Sequence, residues 1–304
     1  MSFTSVVKNE VSKLEFIETE NLSELSAIIR NIGILDENIK VMTENASVAR
    51  RIYNLVKNIY NINCKITVRR GYNFNKNYIY IIEINKKNEL ILSDLSISKT
   101  DIDNIPKGYI YDDDDLIKAY LRGVFLSTGS INDPKKARYH LEFISDSEKY
   151  AKFISNLLNE FNLNSKVLKR ENKYMIYIKE AEKISDFLRL MNAHNSLFYY
   201  EDIRIYRDHK NMTNRLNNCE QANVDKIIET ANNQIKQIEK IKSIGGFDLL
   251  DEKTKEAAIY RLKYPDISLL ELSEIISLET GKKITKSGLY HRFNKIKEIS
   301  SKIK

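Results

Sequence analysis

The sequence predicts an α+β protein in which two tandem copies of one α/β unit are followed by an all-α domain. Leu25–Gly33 has a partner 96 positions later in Leu121–Gly129, and both segments begin with leucine, hold a small residue third and end with glycine. A second match, Asn58–Ile66 with Asn159–Val167, follows in the same order. Beyond residue 250 the chain divides into three helical segments. Two matches in one order indicate two copies packed about a pseudo-twofold axis.

The first copy is predicted from helical and alternating patterns that follow one another. Apolar residues at helical spacing predict a short helix over 4–15 and an amphipathic helix over Asn45–Tyr60. Asn21 is expected to cap a helix over Leu22–Asn31 that ends at Gly33. The predicted strands are Ile39–Thr43, Cys64–Arg70 and Asn77–Ile84, and a polar turn, Gly71–Lys76, joins the last two.

The second copy repeats this order. Four acids, Asp112–Asp115, precede a helix that is predicted over Leu116–Thr128. Ala27 and Gly123 hold equivalent places in the two repeated helices, so we expect two helix backbones to come close there. The remaining predicted elements are a strand at His140–Ile144, a helix at Ser147–Phe161, strands at Lys166–Lys169 and Lys173–Lys179, and a helix at Glu182–Met191.

The C-terminal part predicts a linker and a small helical domain. A polar, Asn-rich stretch, His209–Asn223, precedes an amphipathic helix over Asn223–Ile244. Three further helices are predicted at Thr254–Lys263, at Leu269–Leu278 with Ser268 as N-cap, and at Lys286–Lys302 with Thr285 as N-cap. Two helices, a glycine-containing turn and a basic third helix fit a helix-turn-helix. The expected domains are 1–208, with repeats at about 1–100 and 112–208, a linker with a long helix at 209–250, and the helix-turn-helix at 251–304.

Charge is concentrated at the C-terminal end. The chain of 304 residues has a net charge of +7. Residues 280–304 hold eight basic side chains against one acid, Glu298, an excess equal to that of the whole chain. A polyanion would therefore meet this protein mainly through its last helix.

Other features limit the cellular setting. The two cysteines, Cys64 and Cys219, form no CxxC pair, so a zinc site or a disulfide framework is not expected. The sequence contains no apolar run of about 20 residues, and its N-terminus does not resemble a signal peptide. We therefore expect a cytoplasmic protein.

The repeated helix resembles that of LAGLIDADG homing endonucleases, in which the residue before the final glycine is acidic and binds the catalytic metal. The two positions hold Ile32 and Thr128 here. Metal-assisted phosphodiester cleavage needs hard oxygen ligands, so the pattern predicts the scaffold without the enzyme, its metal or any other cofactor. Two alternatives stay open. An acid from elsewhere, such as Asp36 or Asp133, would restore cleavage, and Asp112–Asp115 could hold a metal instead of stabilising a helix N-terminus.

Several motifs in one order resemble the WhiA family of bacterial DNA-binding regulators over nearly the whole chain. They are Ser2–Glu10, Thr43–Ala46 with Val48–Arg51, Ala119–Ile131, Asn214–Cys219 with Ala222–Asn223, and Lys286–Gly288 with His291–Arg292. The resemblance implies a degenerate LAGLIDADG-like scaffold joined to a helix-turn-helix. It also implies a role in transcription control, in sporulation where that occurs, and in cell division and chromosome segregation elsewhere.

The last predicted helix carries the residues that are expected to bind DNA. Arginine and asparagine suit base edges, whereas lysines suit phosphates, which position a protein without reading sequence. The expected DNA-binding residues are Lys286, Ser287, Gly288, Tyr290, His291, Arg292, Asn294, Lys295 and Lys297, within a helix-turn-helix over about 268–301.

Basic residues on matching strands of the two copies form a second candidate surface, which binds either DNA or a protein. They are Lys65, Arg69, Arg70, Lys166, Lys169 and Arg170. The expected partners are double-stranded DNA and other regulators or division proteins, with no membrane and no small-molecule substrate, and the expected location is the nucleoid. Three functions remain in view: non-catalytic DNA binding, metal-dependent DNA cleavage, and a nucleoid or division role that acts mainly through protein partners.

Overall fold

The computed structural model describes residues 1–70, 78–98, 105–136 and 138–303. The turn predicted at Gly71–Lys76, together with Asn77, lies outside these residues. Contacts along the chain divide it into two compact units, Met1–Arg207 and Asp208–Lys304, each with its own hydrophobic core. The α+β class that the sequence predicts is confirmed.

The first repeat contains a four-stranded antiparallel sheet, with helices packed on one face. Alternate residues of the central strands, such as Val41 and Ile82, are buried on the helical side, and their neighbours form an open face. The sheet has the strand order β1-β2-β4-β3. The elements are α1 (Phe3–Val11), α2 (Glu18–Ile32), β1 (Gly33–Leu35), β2 (Ile39–Thr43), α3 (Ala46–Tyr60), β3 (Lys65–Arg70), β4 (Tyr78–Ile84) and α4 (Asn88–Asp94).

The start of α2 corrects one prediction. The helix begins at Glu18, so Asn21 lies inside it and does not cap it. The Asn21 amide instead donates a hydrogen bond to the carbonyl oxygen of Phe16 at 2.8 Å. Glu18 and Glu20 lie in the first turn, where their negative charge favours the helix N-terminus without a side-chain cap.

The second repeat has the same topology. Its sheet has the order β5-β6-β8-β7, antiparallel throughout. Asp113 caps the repeated helix by accepting a hydrogen bond from the Leu116 amide at 2.8 Å. The elements are α5 (Asp114–Thr128), β5 (Ser130–Ile131), β6 (Leu141–Ser145), α6 (Glu148–Glu160), β7 (Lys166–Arg170), β8 (Lys173–Ile178) and α7 (Ala181–Leu190).

The two repeats meet along α2 and α5, which form the central seam of the first unit. A Cβ atom on Gly123 would collide with the carbonyl oxygen of Glu24 and with the Cβ of Ala27. Glycine is therefore required at this position for the two helix backbones to come this close, as the repeated pattern predicts.

The long helix α8 (His194–Ser243) is continuous, so the prediction that a helix begins only at Asn223 is wrong. The segment contains no glycine or proline, and its asparagines weaken a helix without breaking it. Its N-terminus is capped by Glu10, whose carboxylate accepts hydrogen bonds from the amides of Asn195 and Ser196 at 2.7 and 2.9 Å. Across the residues that the structure describes, no helix is long and apolar enough to cross a bilayer.

The second unit is helical. The end of α8 packs Ile238 and Ile241 against a core that Leu272, Leu289 and Phe293 help to form. Its other helices are α9 (Glu252–Lys263), α10 (Leu269–Thr280) and α11 (Lys286–Lys302).

The caps of α10 and α11 are the predicted ones. Ser268 and Glu271 form a capping box at the start of α10. Gly281, with φ 68°, ends that helix in the left-handed region, where glycine is favoured. Thr285 caps α11 by accepting a hydrogen bond from the Gly288 amide at 3.1 Å.

Candidate nucleic-acid interface

The two positions that hold metal-binding acids in an active endonuclease lie at the C-terminal ends of α2 and α5. Ile32 packs against the core of the first unit and offers no ligand atom. The Thr128 hydroxyl donates to the carbonyl oxygen of Val124 in its own helix at 3.3 Å. Neither side chain resembles the carboxylate that binding of Mg²⁺ at such a position requires.

The acids that might replace them have other partners. The Asp133 carboxylate accepts a hydrogen bond from the Lys135 amide at 2.9 Å, and Asp36 is exposed and has a partner of its own. In the acidic run before α5, Asp113 caps the helix and Asp115 pairs with Lys118 at 2.9 Å. Within the described residues, no group of three or more His, Cys, Asp or Glu side chains could hold a metal ion.

The buried carboxylate of Glu24, inside the seam, is neutralised. Glu24 of α2 is fully buried, and its two oxygens accept hydrogen bonds from Arg51 at 2.8 and 2.9 Å and from Arg122 at 2.6 Å. The Arg122 guanidinium also lies 3.4 Å from the ring centroid of Phe16. We call Glu24, Arg51, Arg122 and Phe16 the seam cluster. Two cations on one carboxylate leave it no capacity to bind a metal, so the cluster serves the fold.

The six basic strand residues do not all face the same way. Cross-strand partners share a face, and Ile82 and Ile176 mark the buried, helical side of the two sheets. By this register Lys65 and Arg69 lie on the open face of the first sheet. Lys166 and Arg170 lie on the open face of the second, whereas Arg70 and Lys169 lie on the helical side.

The four open-face residues, Lys65, Arg69, Lys166 and Arg170, also occupy matching positions in the two repeats. All are exposed, and none forms an ion pair with another described residue. Lys169 differs from these four because it interacts with an acid. The pKa of Glu148 is lowered first by the hydrogen bond from Lys152, and the charge of Lys169 adds a smaller effect. The open faces also expose Met42 and Ile144, so each is a mixed basic and apolar surface.

Helix α11 presents a basic, polar surface at its N-terminal half. Lys286, Ser287, Tyr290 and His291 are exposed, while Leu289 and Phe293 are buried in the core on the opposite side. These four exposed residues are what we call the free face of α11. Gly288 and Asn294 are half-buried beside it, and Lys297 is exposed further along the helix.

Two of the predicted DNA-binding residues are engaged inside the second unit. The Arg292 guanidinium donates to the Glu256 carboxylate at 2.9 Å and to the carbonyl oxygen of Lys253 at 3.1 Å. Lys295 donates to Asp251 at 2.7 Å. This bond, with a second from the Thr254 hydroxyl, lowers the pKa of Asp251 to about 2. Arg292 and Lys295 therefore tie α11 to α9, a role that their place in the sequence did not reveal.

The residues of the seam cluster were also not among the candidate residues predicted from the sequence. A glutamate inside the apolar stripe of α2 was the available signal, because a buried carboxylate requires charged partners. Its partners could not be named from the sequence, since Arg51 and Arg122 lie 27 and 98 residues away along the chain.

The fold and its exposed helix define a class of protein: two LAGLIDADG-like domains followed by a helix-turn-helix domain of the kind that binds DNA. Three family models match in order. They are the WhiA N-terminal LAGLIDADG-like domain at residues 18–98, the WhiA LAGLIDADG-like domain at 117–210 and the WhiA C-terminal HTH domain at 213–300. The chain belongs to the WhiA family.

Similar proteins cover the full length of the chain. A protein from Bacillus cytotoxicus named "Probable cell division protein WhiA" is 44% identical, over 100% of this chain and 98% of the relative. A protein of the same name from Clostridium beijerinckii is 41% identical, over 100% and 99%. The crystal structure of full-length DUF199/WhiA from Thermatoga maritima is 26% identical, with a TM-score of 0.59, over 100% of this chain and 99% of that one.

Proposed function

We propose that this protein is a non-catalytic, sequence-dependent DNA-binding protein that regulates transcription and thereby contributes to cell division and chromosome segregation. In sporulating bacteria the same activity would serve sporulation. The cell-division part of the proposal is supported by the full-length relatives that carry that name. The proposed location is the cytoplasm, in association with the nucleoid.

The free face of α11 is the observation on which the DNA-binding proposal depends. Lys286, Ser287, Tyr290 and His291 combine a cation, two hydroxyls and an imidazole on the exposed side of a third helix. A recognition helix contacts base edges with the residues at its N-terminal end. We propose that Tyr290 and His291 contact bases, and that Lys286 and Lys297 contact phosphates.

We do not assign DNA contacts to three other predicted residues of α11, Arg292, Asn294 and Lys295. Arg292 and Lys295 hold α11 against α9 through Glu256 and Asp251. They therefore position the helix that reads DNA, whereas the half-buried Asn294 lies at the margin of that surface.

The proposal that the protein does not cleave DNA is supported by its seam. Ile32 and Thr128 supply no carboxylate, and Glu24 is occupied by two guanidinium groups. The first unit would then serve as a docking body. Its open-face basic residues would bind DNA or a partner protein; they are Lys65, Arg69, Lys166 and Arg170. We propose that residues 1–208 form this body, that 209–250 connect it, and that 251–304 read the DNA.

The binding assignment can be tested with genomic fragments selected by the full chain. Tyr290→Ala and His291→Ala should each weaken binding to selected sites by about tenfold, while binding to unrelated DNA changes little. Lys286→Ala should weaken both to a similar degree, because phosphate contacts are independent of sequence. Lys253→Ala removes an exposed lysine from α9 and serves as the matched control. If the control and the Tyr290→Ala variant bind alike, the assignment of this face is wrong.

The absence of cleavage needs its own experiment. The full chain is incubated with supercoiled plasmid that carries a selected site, with Mg²⁺ or Mn²⁺ added. We expect the plasmid to remain supercoiled under conditions in which the site is fully occupied. Nicks at a defined position that require the metal and disappear in Asp36→Asn or Asp133→Asn would establish an endonuclease instead.

A further inference from the structure

Part of α8, at the start of the second unit, is exposed on every side. Each residue from 208 to 226 is exposed, and we call this segment the exposed stretch. Most helical stability in proteins comes from packing, and asparagine, which the stretch contains five times, is a weak helix former. The side chains of this stretch therefore contribute little to the fold, which leaves them available to a ligand.

Four of these asparagines lie with two basic residues on one side of the helix. At 3.6 residues per turn, the six side chains cover an arc of about 160°. Lys210 lies near one edge of this arc and Arg215 lies at the other, with three of the asparagines between them. We call the six residues the amide face; they are Lys210, Asn211, Asn214, Arg215, Asn217 and Asn218.

The amide face carries no negative charge and has no partner within the described protein. Residues 209–219 contain no aspartate or glutamate, so the charges of Lys210 and Arg215 are not balanced locally. Across the residues that the structure describes, no side chain of the amide face forms a hydrogen bond or an ion pair. Gln221, one turn further on, differs because its amide donates to the Asp225 carboxylate at 2.9 Å. The amide face therefore ends before Gln221.

This set of side chains suits the major groove of double-stranded DNA. The groove is about 12 Å wide and admits an α-helix. A carboxamide has both donors and an acceptor, so an asparagine can bond the N6 and N7 atoms of an adenine together. Lysine and arginine at the two edges of the face match the phosphates that border the groove on each side. An acidic protein would be matched by the cations alone, whereas the carboxamides between them match the edges of bases.

We propose that the amide face is a second DNA-contacting surface, which lies in the major groove outside the segment that α11 reads. Asn214 and Asn218 contact base edges, and Lys210 and Arg215 contact phosphates. Asn214 precedes Ile238, which lies in the core of the second unit, by about 36 Å along the helix axis. One turn of B-DNA has a similar length, about 34–36 Å. The inference rests on the proposed DNA binding, and it gives the connecting helix a part in selecting the site.

Substitution by alanine tests the amide face, because alanine is a better helix former than asparagine and keeps α8 helical. In the full chain, Asn214→Ala and Asn218→Ala should each weaken binding to selected fragments about tenfold, with little change on unrelated DNA. Asn223→Ala is the matched control, since this residue is exposed on the opposite side of the same helix. Arg215→Ala should reduce the slope of log affinity against log salt by about one, whereas Lys236→Ala, further along the helix, should not.

Hydrogen exchange gives a second measurement, without any substitution. An uncovered helix opens easily, so the backbone amides of residues 209–219 should exchange rapidly in the free chain. Their exchange should slow by about tenfold or more when a selected fragment is bound. If the amides of α11 are protected by the fragment while those of 209–219 exchange as before, the inference is overturned.

The outcomes separate this inference from the proposed function. If Tyr290→Ala weakens binding while Asn214→Ala and Asn218→Ala behave like Asn223→Ala, α11 contacts DNA and the amide face does not, which overturns the inference. If both asparagine variants weaken binding and Tyr290→Ala does not, the amide face is supported and the assignment of α11 is wrong. A full chain that selects no DNA fragments would overturn both.

Discussion

The seam cluster and the free face of α11 use charge in opposite ways. In the seam, Glu24 is fully buried and is shared by Arg51 and Arg122, so the charges neutralise one another. On α11, Lys286 is exposed and Tyr290 is 53% exposed. The basic residues of this protein therefore divide by their partners: those paired inside a unit maintain its fold, and only the others are available to a ligand.

The division runs through α11 itself. Like the arginines of the seam cluster, Arg292 and Lys295 are paired with acids of their own unit, which lie on or just before α9. The surface of the helix that is available to DNA is correspondingly smaller than its charge suggests. Substitutions can therefore separate the charges that stabilise the fold from those that are free to bind a ligand.

The largest effect is expected for Glu24→Gln. The substitution leaves Arg51 buried without its carboxylate partner and leaves Arg122 with only the more distant Glu20, at 3.6 Å. Breaking a buried ion pair in this way costs about 3–5 kcal/mol. Denaturant unfolding of the full chain, followed by circular dichroism, should show the first unit unfolding at a much lower midpoint. Glu18→Gln, which replaces an exposed acid in the first turn of the same helix, should lower that midpoint only slightly, because a charge at a helix N-terminus contributes about 0.3–1 kcal/mol. An unchanged midpoint for Glu24→Gln would mean that the seam is stable without its carboxylate.

Arg292→Ala should destabilise the second unit by about 1–2 kcal/mol, because a partly buried, charge-assisted hydrogen bond is lost. Glu256→Gln removes the same ion pair from the α9 side and should cost a similar amount. If Arg292 acts through the fold, both variants should weaken DNA binding by similar factors. A large loss of DNA binding with Arg292→Ala alone would show instead that the guanidinium contacts DNA.

The strand residues allow a comparison within one strand. Lys166 lies on the open face of the second sheet and Lys169 on its helical side. If the open faces bind DNA, Lys166→Ala should lower affinity about twofold to fivefold at low salt, and should reduce the slope of log affinity against log salt by about one. Lys169→Ala should change neither. If Lys166→Ala changes neither the affinity nor the salt slope, the open face is not the DNA-binding surface and is left to a protein partner.

Most of the fold could be predicted from local sequence patterns. The features that could not be predicted depend on contacts between residues far apart in the chain. The repeated helices and the capping box of Ser268 depend on neighbours within a few residues, so the sequence alone was sufficient. The close approach of Ala27 and Gly123 joins residues 96 positions apart, and it could be predicted because the same pattern occurs twice in the chain. Strands β1 and β5 went unpredicted because three and two residues are too few for an alternating pattern. The pairing of Arg292 with Glu256 joins residues 36 positions apart, and spacing along one helix gives no sign of it.

The smallest effect concerns pH. The pKa of Asp251 is lowered from 3.8 to about 2, first by the hydrogen bond from Lys295 and then by that from Thr254. A carboxyl group with a lowered pKa in the folded state contributes stability that is complete above pH 3.8 and is lost as pH falls through 2. The thermal midpoint of the second unit should therefore fall between pH 4 and pH 2, and by less in Lys295→Met.

Lys297→Met is the control for this last experiment, because it removes an exposed lysine from the same helix. Its midpoint should follow the unmodified protein across the acid range. The same pair of variants then separates the two uses of charge on α11. Lys297→Met should weaken DNA binding without changing the acid response, and Lys295→Met should reduce the acid response first. If Lys295→Met instead leaves the acid response intact and weakens DNA binding as strongly as Lys297→Met, Lys295 belongs to the ligand surface, and the division by partners fails at that residue.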